Sequence, residues 1–437
     1  MTVNVFGAGL AGCEAAYQLA KRGVHVRLYD MKPEKKSPAH SSDKLAELVC
    51  SNSLKANRVE SAAGLLKEEM RRLDSLLVSC ADKCAVPAGG ALAVDREMFS
   101  SMVTERIKND ENIEFICEEV TSIPEDEICI IATGPLTSDA FSKHISEKLG
   151  EHLSFFDAAA PIVSAESIDM EHAFFESRYG KGDSDDYLNC PMNKEEYEIF
   201  HNELVNAERA PVHEFDVRDP KVYEGCMPIE VLAQRGLDTI RFGPMKPVGL
   251  RDPKTGHRPW AVLQLRKETV SGEMYNLVGF QTNLKFDEQK RVFGLIPALK
   301  NAEFFRFGVM HRNTFINSPK LLDGDFALKE NKNIFFAGQI TGVEGYMESA
   351  SSGLIAGINA YKRAIGEKTL VLPDCTMIGA LSNYISDESV KDFQPMGANL
   401  GILPALENRP KEKALRAAMH AARSLECLEE YIKHNNI

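Results

Sequence analysis

TVNVFGAGLAGCEAAYQLAKRGVHVRLYD, residues 2–30, decides how the rest of the chain is read. TVNVF (2–6) is a short apolar strand, and GAGLAG (7–12) follows it without a spacer. The run after it carries Ala16, Leu19 and Ala20 at helical spacing, with Gly23 as the stop. VHVRLYD (24–30) alternates as a second strand and ends on an acid. The spacing predicts a βαβ unit built around the glycine turn of a dinucleotide site. Gly7 permits the tight turn, Gly9 lets a pyrophosphate approach the backbone, and Gly12 allows helix and strand to pack closely. The pyrophosphate would rest on N–H groups at the positive end of the helix, so Ala8, Leu10 and Ala11 join the glycines as cofactor-binding candidates. Asp30, eighteen residues after Gly12, supplies a carboxylate for ribose hydroxyls. The alternative is a glycine-rich turn that binds nothing.

Composition bounds the remainder. The 437 residues, 44% hydrophobic and 26% charged, have the make-up of an ordinary globular protein with room for two domains. A net charge of −13 leaves nucleic-acid binding to a local basic patch. No apolar run reaches the length of a membrane span, and MTVNVFGAG enters a strand where a signal peptide would stand. The expectation is a cytoplasmic chain with no membrane contact and no obligate protein partner. Its ten cysteines are then expected to be mostly reduced. Cys80 and Cys84 form the one close pair, with no second pair or histidine cluster to complete a metal site, and read as structural.

Two later stretches extend the nucleotide-binding reading. ICIIATGPL (128–136) is a buried strand that leads into Gly134. NIFFAGQITGVEGYMESASSGLIAGINA (333–360) is another apolar strand, a glycine-studded loop and a small-residue helix. An early GxGxxG, a middle strand-Ala-Thr-Gly and a late strand-Ala-Gly with small helix together resemble FAD proteins of the glutathione-reductase-like type. The fold class implied is α/β, a discontinuous FAD-binding Rossmann domain at 1–155 and 326–437. An inserted α+β domain at 156–325 is expected to bind substrate or RNA. The late loop then contributes Gly338, Gln339, Gly342, Glu344 and Tyr346 to the flavin, with Tyr346 able to cover the isoalloxazine. The insert is acidic in its first half and basic later. Between 235 and 267, eight cations (Arg235, Arg241, Lys246, Arg251, Lys254, Arg258, Arg266, Lys267) less Asp238 and Asp252 give +6. His257 and Trp260 lie in the same stretch. A docked phosphate backbone and a solvated hairpin surface both remain open there.

Two cysteines stand in unusual settings. Cys50 lies in LVCSNSL, and Cys226 in YEGCMPIEVLA, where Pro228 suits the first turn of a helix. By context alone each thiol is more often inert than reactive. GAGLAGCEAA, VCSNSLKAN, EGCMPIEVLAQRG, FGPMKPVGL, MHRNTFINSP and GQITGVEGYMESASSG, spread from residue 5 to 360, are however similar to the TrmFO family of folate- and FAD-dependent tRNA (uracil-5-)-methyltransferases. The larger GidA/MnmG flavoproteins share the fold but carry a C-terminal helical domain for which this chain has no room. Asp30 stands where Glu is expected in the TrmFO family, and the carboxylate role survives the change.

The resemblance implies methylation of a T-loop uracil in tRNA. The carbon comes from 5,10-methylenetetrahydrofolate, the reduction from FAD, and NADPH or NADH recharges the flavin. A thiolate must add at uracil C6 to make C5 nucleophilic, and a base must then remove the C5 proton. The resemblance implies Cys226 as nucleophile and Cys50 as proton acceptor or flavin-side partner. It places His311, Arg312 and Asn313 near the flavin, where His311 could stack on a pterin ring and Arg312 meet folate carboxylates, and Lys246 as a phosphate or folate contact. Without it, His311 reads as a satisfied loop histidine. The same chemistry on a ribosomal RNA uridine stays open, as does a small-molecule flavin oxidoreductase. The latter predicts a C-x-x-C or C-x4-C pair on the first helix, which is absent.

Overall fold

The computed structural model describes residues 1–37, 39–150, 153–180, 186–211, 227–391, 393–435 and 437, with the backbone alone at 153–157, 180 and 311–312. Its first layer is a five-stranded parallel sheet. Thr2–Phe6 lies at its centre, His25–Asp30 and Ile113–Cys117 follow on one side, and Cys129–Ile131 and Ile334–Phe336 on the other. Thr2–Phe6, Cys129–Ile131 and Ile334–Phe336 are short, largely apolar runs because they are buried on both faces, whereas His25–Asp30 alternates and exposes His25 and Arg27. Val3, Val5, Val26, Leu28, Ile130, Ile131, Phe335 and Phe336 are all fully buried. The last strand arrives some two hundred residues after its neighbour and pairs with it in register, Ile334 opposite Cys129.

Two helices run together along this sheet. Leu10–Ala20 follows the glycine turn, and Tyr346–Ala364 is the small-residue helix of the late segment. Their backbones nearly touch. A Cβ at Gly353 would sit 2.1 Å from the Ala11 carbonyl oxygen, and one at Gly357 2.8 Å from that of Ala15. Side chains larger than hydrogen at 353 and 357 would push the helices apart.

A second core belongs to a six-stranded antiparallel sheet. Its order is Phe174–Phe175, Leu188–Met192, Ala261–Lys267, Met274–Leu277, Ile162–Ser164 and Phe304–Arg306. The helix Lys194–Asn206 packs Tyr197, Phe200 and Leu204 against it, and Phe280 stacks on Phe200 and meets Phe293 edge-on. Residues 3–145 and 315–428 build the first core and 163–299 the second. Leu153–Ala158 and Met310–Phe315 run antiparallel beside each other where the chain passes between the cores.

The C-terminal stretch read as a packing helix forms Lys413–Asn435 and buries Ala421, Ser424 and Leu428. Cys427 on it is disulfide-bonded to Cys375, 52 residues away, a pairing that the scatter of cysteines gave no reason to expect. Cys80 and Cys84 are buried, and burial pushes the Cys80 thiol up to about 11, as suits an inert structural cysteine. Among the described residues no group of side chains could hold a metal ion, and no helix is long and apolar enough to cross a membrane.

Glu69 joins the C-terminal helices to the first core. Its carboxylate accepts the Met377 (2.7 Å) and Ile378 (2.9 Å) N–H groups at the start of one helix and the Ser424 hydroxyl (2.5 Å) of another. Burial nevertheless wins over these donors and raises the carboxyl from 4.5 to about 7. Between those two values the folded chain holds a proton that the unfolded chain has released, so stability must fall as pH rises. Denaturant titrations across that window should show a loss of ~3 kcal/mol from this group. Glu69→Gln should flatten the slope.

Candidate active site

The carboxyl ends of the parallel strands converge on one cleft. It is lined by Gly7, Gly9, Leu10 and Ala11 of the first turn, by Asp30, by Ala132 to Ser138 including Gly134, and by Gly338, Gln339 and Tyr346. This is the place where parallel α/β sheets bind ligands. The empty space at the cleft is about 1110 Å³ counting the part open to solvent.

The glycines can be tested one by one. Gly7 has φ +98°, and a Cβ there would lie 2.6 Å from the Ala132 carbonyl oxygen. Gly12 makes room for the turn itself, since its Cβ would fall 1.7 Å from the Gly7 carbonyl oxygen. Gly9 differs from both. Nothing lies within 4 Å of where its Cβ would be, so the backbone there faces open cleft. Gly9 and Gly345, which cap the two facing helices, supply no capping side chain, and both helix N-termini point their N–H groups outward. Asp30 accepts the Ala8 N–H at 2.7 Å on one oxygen and the Lys32 N–H at 2.9 Å on the other, with acceptor capacity left on each. Ala8 thus spends its amide on Asp30. These features fit FAD: a pyrophosphate on the Leu10 and Ala11 amides, a ribose on Asp30, and the ring system toward Gly338, Gln339 and Tyr346.

Cys50 stands behind one wall of this cleft, on a loop bracketed by the left-handed residues Ala46 (φ 50°) and Lys55 (φ 63°). Tyr346, first residue of the late helix, reaches it from the cleft side. The Tyr346 hydroxyl accepts the Cys50 N–H at 2.8 Å and the Ser51 N–H at 3.1 Å, and lies 2.9 Å from the Cys50 sulfur. Burial, and after it the charge of Cys50, pushes this hydroxyl well above the usual tyrosine range, so it keeps its proton. Farther along the loop, Lys55 Nζ pairs with the buried Glu348 of the same helix at 2.8 Å. Three arginines absent from the sequence-based site complete the surroundings. Arg96 donates to the Leu48 carbonyl at 2.8 Å, Arg306 to the Val49 carbonyl, and Arg266 to Ser51 Oγ at 3.0 Å and Asn52 Oδ1 at 2.9 Å. Arg266 is the one with a sequence signal, as a member of the basic stretch.

The other candidates fall in several places. Cys226 lies outside the described residues. The strand carrying His311, Arg312 and Asn313 bonds through Thr314 N–H to Pro135 O (3.1 Å), and Ile316 N–H just beyond it bonds to Ile340 O (2.9 Å). Its backbone therefore runs beside two loops that line the cleft. Asn313 is buried, and its Oδ1 has no hydrogen-bond partner among the described residues. Glu344 accepts from Gln339 Nε2 at 2.5 Å and so orients a cleft residue, while Gly342 packs beneath Phe393. Lys246 lies away from the cleft wall. Its neighbour Met245 bonds Val262, four residues up the strand from Arg266, or about 13 Å.

The glycine geometry separates two substitutions. Gly9→Ala (native φ −75°) should change stability by less than about 1 kcal/mol yet weaken FAD binding roughly tenfold or more. Gly12→Ala should cost about 3 kcal/mol or more. Melting curves and flavin fluorescence titration check both.

A family model described as "Glucose inhibited division protein A" matches residues 2–368. The chain is 62% identical over 431 residues to "Methylenetetrahydrofolate--tRNA-(uracil-5-)-methyltransferase TrmFO" of Acetivibrio thermocellus, covering 98% of each chain. It is 56% identical over 437 residues to the protein of that name in Lysinibacillus sphaericus, covering 100% of this chain and 99% of the other. Among solved structures, GidA of Aquifex aeolicus superposes with a TM-score of 0.70 at 16% identity, over 98% of this chain and 73% of that one, which bears on the fold alone. A match this even along the whole length places the chain in the glucose-inhibited division protein A family and, within it, in the TrmFO branch.

Proposed function

We propose that this protein methylates C5 of a uracil in the T-loop of tRNA, with methylenetetrahydrofolate as the carbon source. The observation that carries the reading is a thiol seated against the N-terminus of a cofactor-facing helix, Cys50 Sγ 2.9 Å from Tyr346 Oη. FAD, when bound, supplies the reduction that turns the transferred carbon into a methyl group, and NADPH or NADH restores it. Uracil C5 needs a thiolate added at C6 before it attacks an electrophile, and the C5 proton must then leave to a base. Cys226 takes the first task and Cys50 the second. The strand bearing His311, Arg312 and Asn313 borders the folate, and the unsatisfied Asn313 Oδ1 is suited to accept a ligand N–H.

The RNA lies on the basic stretch 235–267. Arg241 stacks on Trp260 at 3.9 Å beside the exposed Phe242, an arrangement that receives unstacked bases. Lys246 meets RNA phosphate on that surface. The chain works in the cytoplasm, with 1–155 and 326–437 as its FAD-binding domain and 156–325 as the inserted one.

Unmodified tRNA transcript should gain a C5 methyl group with methylenetetrahydrofolate and NADPH, and none with S-adenosylmethionine. Methylation from S-adenosylmethionine alone would contradict the proposal. Cys226→Ala should fail to form a stable adduct with tRNA containing 5-fluorouridine, as read by gel shift under denaturing conditions. An adduct that survives Cys226→Ala and is lost in Cys50→Ala would exchange the two roles.

A further inference from the structure

We propose that Arg96, Arg266 and Arg306 form a cationic clamp that keeps the Cys50 thiol ionised, and that this clamp exists only where the two cores meet. The Tyr346 hydroxyl has two acceptor lone pairs, and the Cys50 and Ser51 N–H groups at 2.8 and 3.1 Å occupy them. What remains is its own hydrogen, and the Cys50 sulfur at 2.9 Å is the atom in its path. The sulfur therefore accepts.

Facing the loop are Arg96 from the helix Arg96–Lys108, Arg266 and Glu268 from the strand Ala261–Lys267 and the residue after it, and Arg306 from Phe304–Arg306. Tyr346 faces it from the late helix. The loop itself brings Glu47, 4.0 Å from Lys32. Among the described residues, Arg96, Arg266, Arg306 and Lys32 stand against Glu47 and Glu268, and guanidinium groups do not deprotonate in a protein. A positive surplus beside a half-buried thiol favours the thiolate. Burial works against the Arg96 charge, but Glu268, Tyr346 and Cys50 outweigh it. Burial and then Arg96 lower Arg306, while Tyr346 and Cys50 act the other way. The arginines are fixed as well as charged. Arg96 is held by Glu268 at 2.6 Å, and all three donate to residues 48–52.

Arg266 and Arg306 belong to the antiparallel sheet, whereas Cys50, Tyr346 and Arg96 belong to the other side. A thiol on one core thus takes part of its ionisation from cations on the other. The arginines are positioning residues: they act on Cys50 and need touch neither substrate nor cofactor.

This inference rests on the role proposed for Cys50, but its test reads ionisation without turnover. In the FAD-loaded protein, thiolate ultraviolet absorbance against pH, wild type minus Cys50→Ser, should inflect at least about one unit below the ordinary thiol value of roughly 8.5. Arg306→Met should raise that inflection by about one unit, about a tenfold loss of thiolate on the acid side, and Arg306→Lys should restore part of it. A wild-type inflection at or above the ordinary value would overturn the clamp even if every variant failed to fold. So would an unshifted inflection in a folded Arg306→Met protein. A depressed inflection in a protein that still methylates after Cys50→Ala would leave the clamp standing and remove the catalytic role.

Discussion

The architecture depends on a contact in which two helices meet backbone to backbone. Gly353 and Gly357 lie against the carbonyl groups of Ala11 and Ala15, at separations that leave no space for a methyl group. Because of that contact the glycine-turn helix and the late helix deliver their N-termini to the same cleft. Each brings unsatisfied N–H groups and a positive dipole end, so an anionic cofactor is favoured by geometry before any charged side chain is considered. The residue that opens the late helix is Tyr346, and its place is set by the same contact. Packing of small residues thereby decides where the tyrosine hydroxyl stands, and the hydroxyl decides where the Cys50 loop stands.

That loop is shared by the whole molecule. Its carbonyl groups are held by arginines from a helix of the first core and a strand of the second, and its amides by a tyrosine from the last third of the chain. Left-handed Ala46 and Lys55 at its two ends would be unfavourable in isolation. Hydrogen bonds from Ala46 N–H to the Ala8 carbonyl at 3.0 Å and the ion pair of Lys55 with Glu348 offset the strain. The arrangement concentrates buried charge, and such groups persist when each has a partner, as Arg96 and Glu268 do. The Cys50 thiol and the cofactor cleft are therefore two sides of one rigid wall.

Much of this was legible in the sequence because the signals were local. Strand, glycine turn, helix, strand and acid follow each other within 2–30, and each glycine meets the close approach or open space its position called for. The parallel sheet announced itself through unbroken apolar runs at 128–131 and 334–337. The surroundings of Cys50 did not, because Arg96, Arg266 and Arg306 lie in three unrelated segments and only tertiary packing assembles them. Arg266 was counted toward an outward basic surface, yet it is 5% exposed and turned toward Asn52. Charge counts along a chain carry no information about which face a strand presents. The Cys375–Cys427 pair and the anchoring of the C-terminal helices by Glu69 were silent for the same reason.

The central claim is that the two glycine-packed helices and the tyrosine-thiol wall enclose a single FAD site. A crystal structure of the FAD-loaded protein tests it most directly. The account predicts the pyrophosphate over the Leu10 and Ala11 amides, a ribose hydroxyl on Asp30, and the isoalloxazine between Gly338–Gln339 and Tyr346. A pyrophosphate elsewhere, or a ring system turned away from Tyr346 and Cys50, would contradict it.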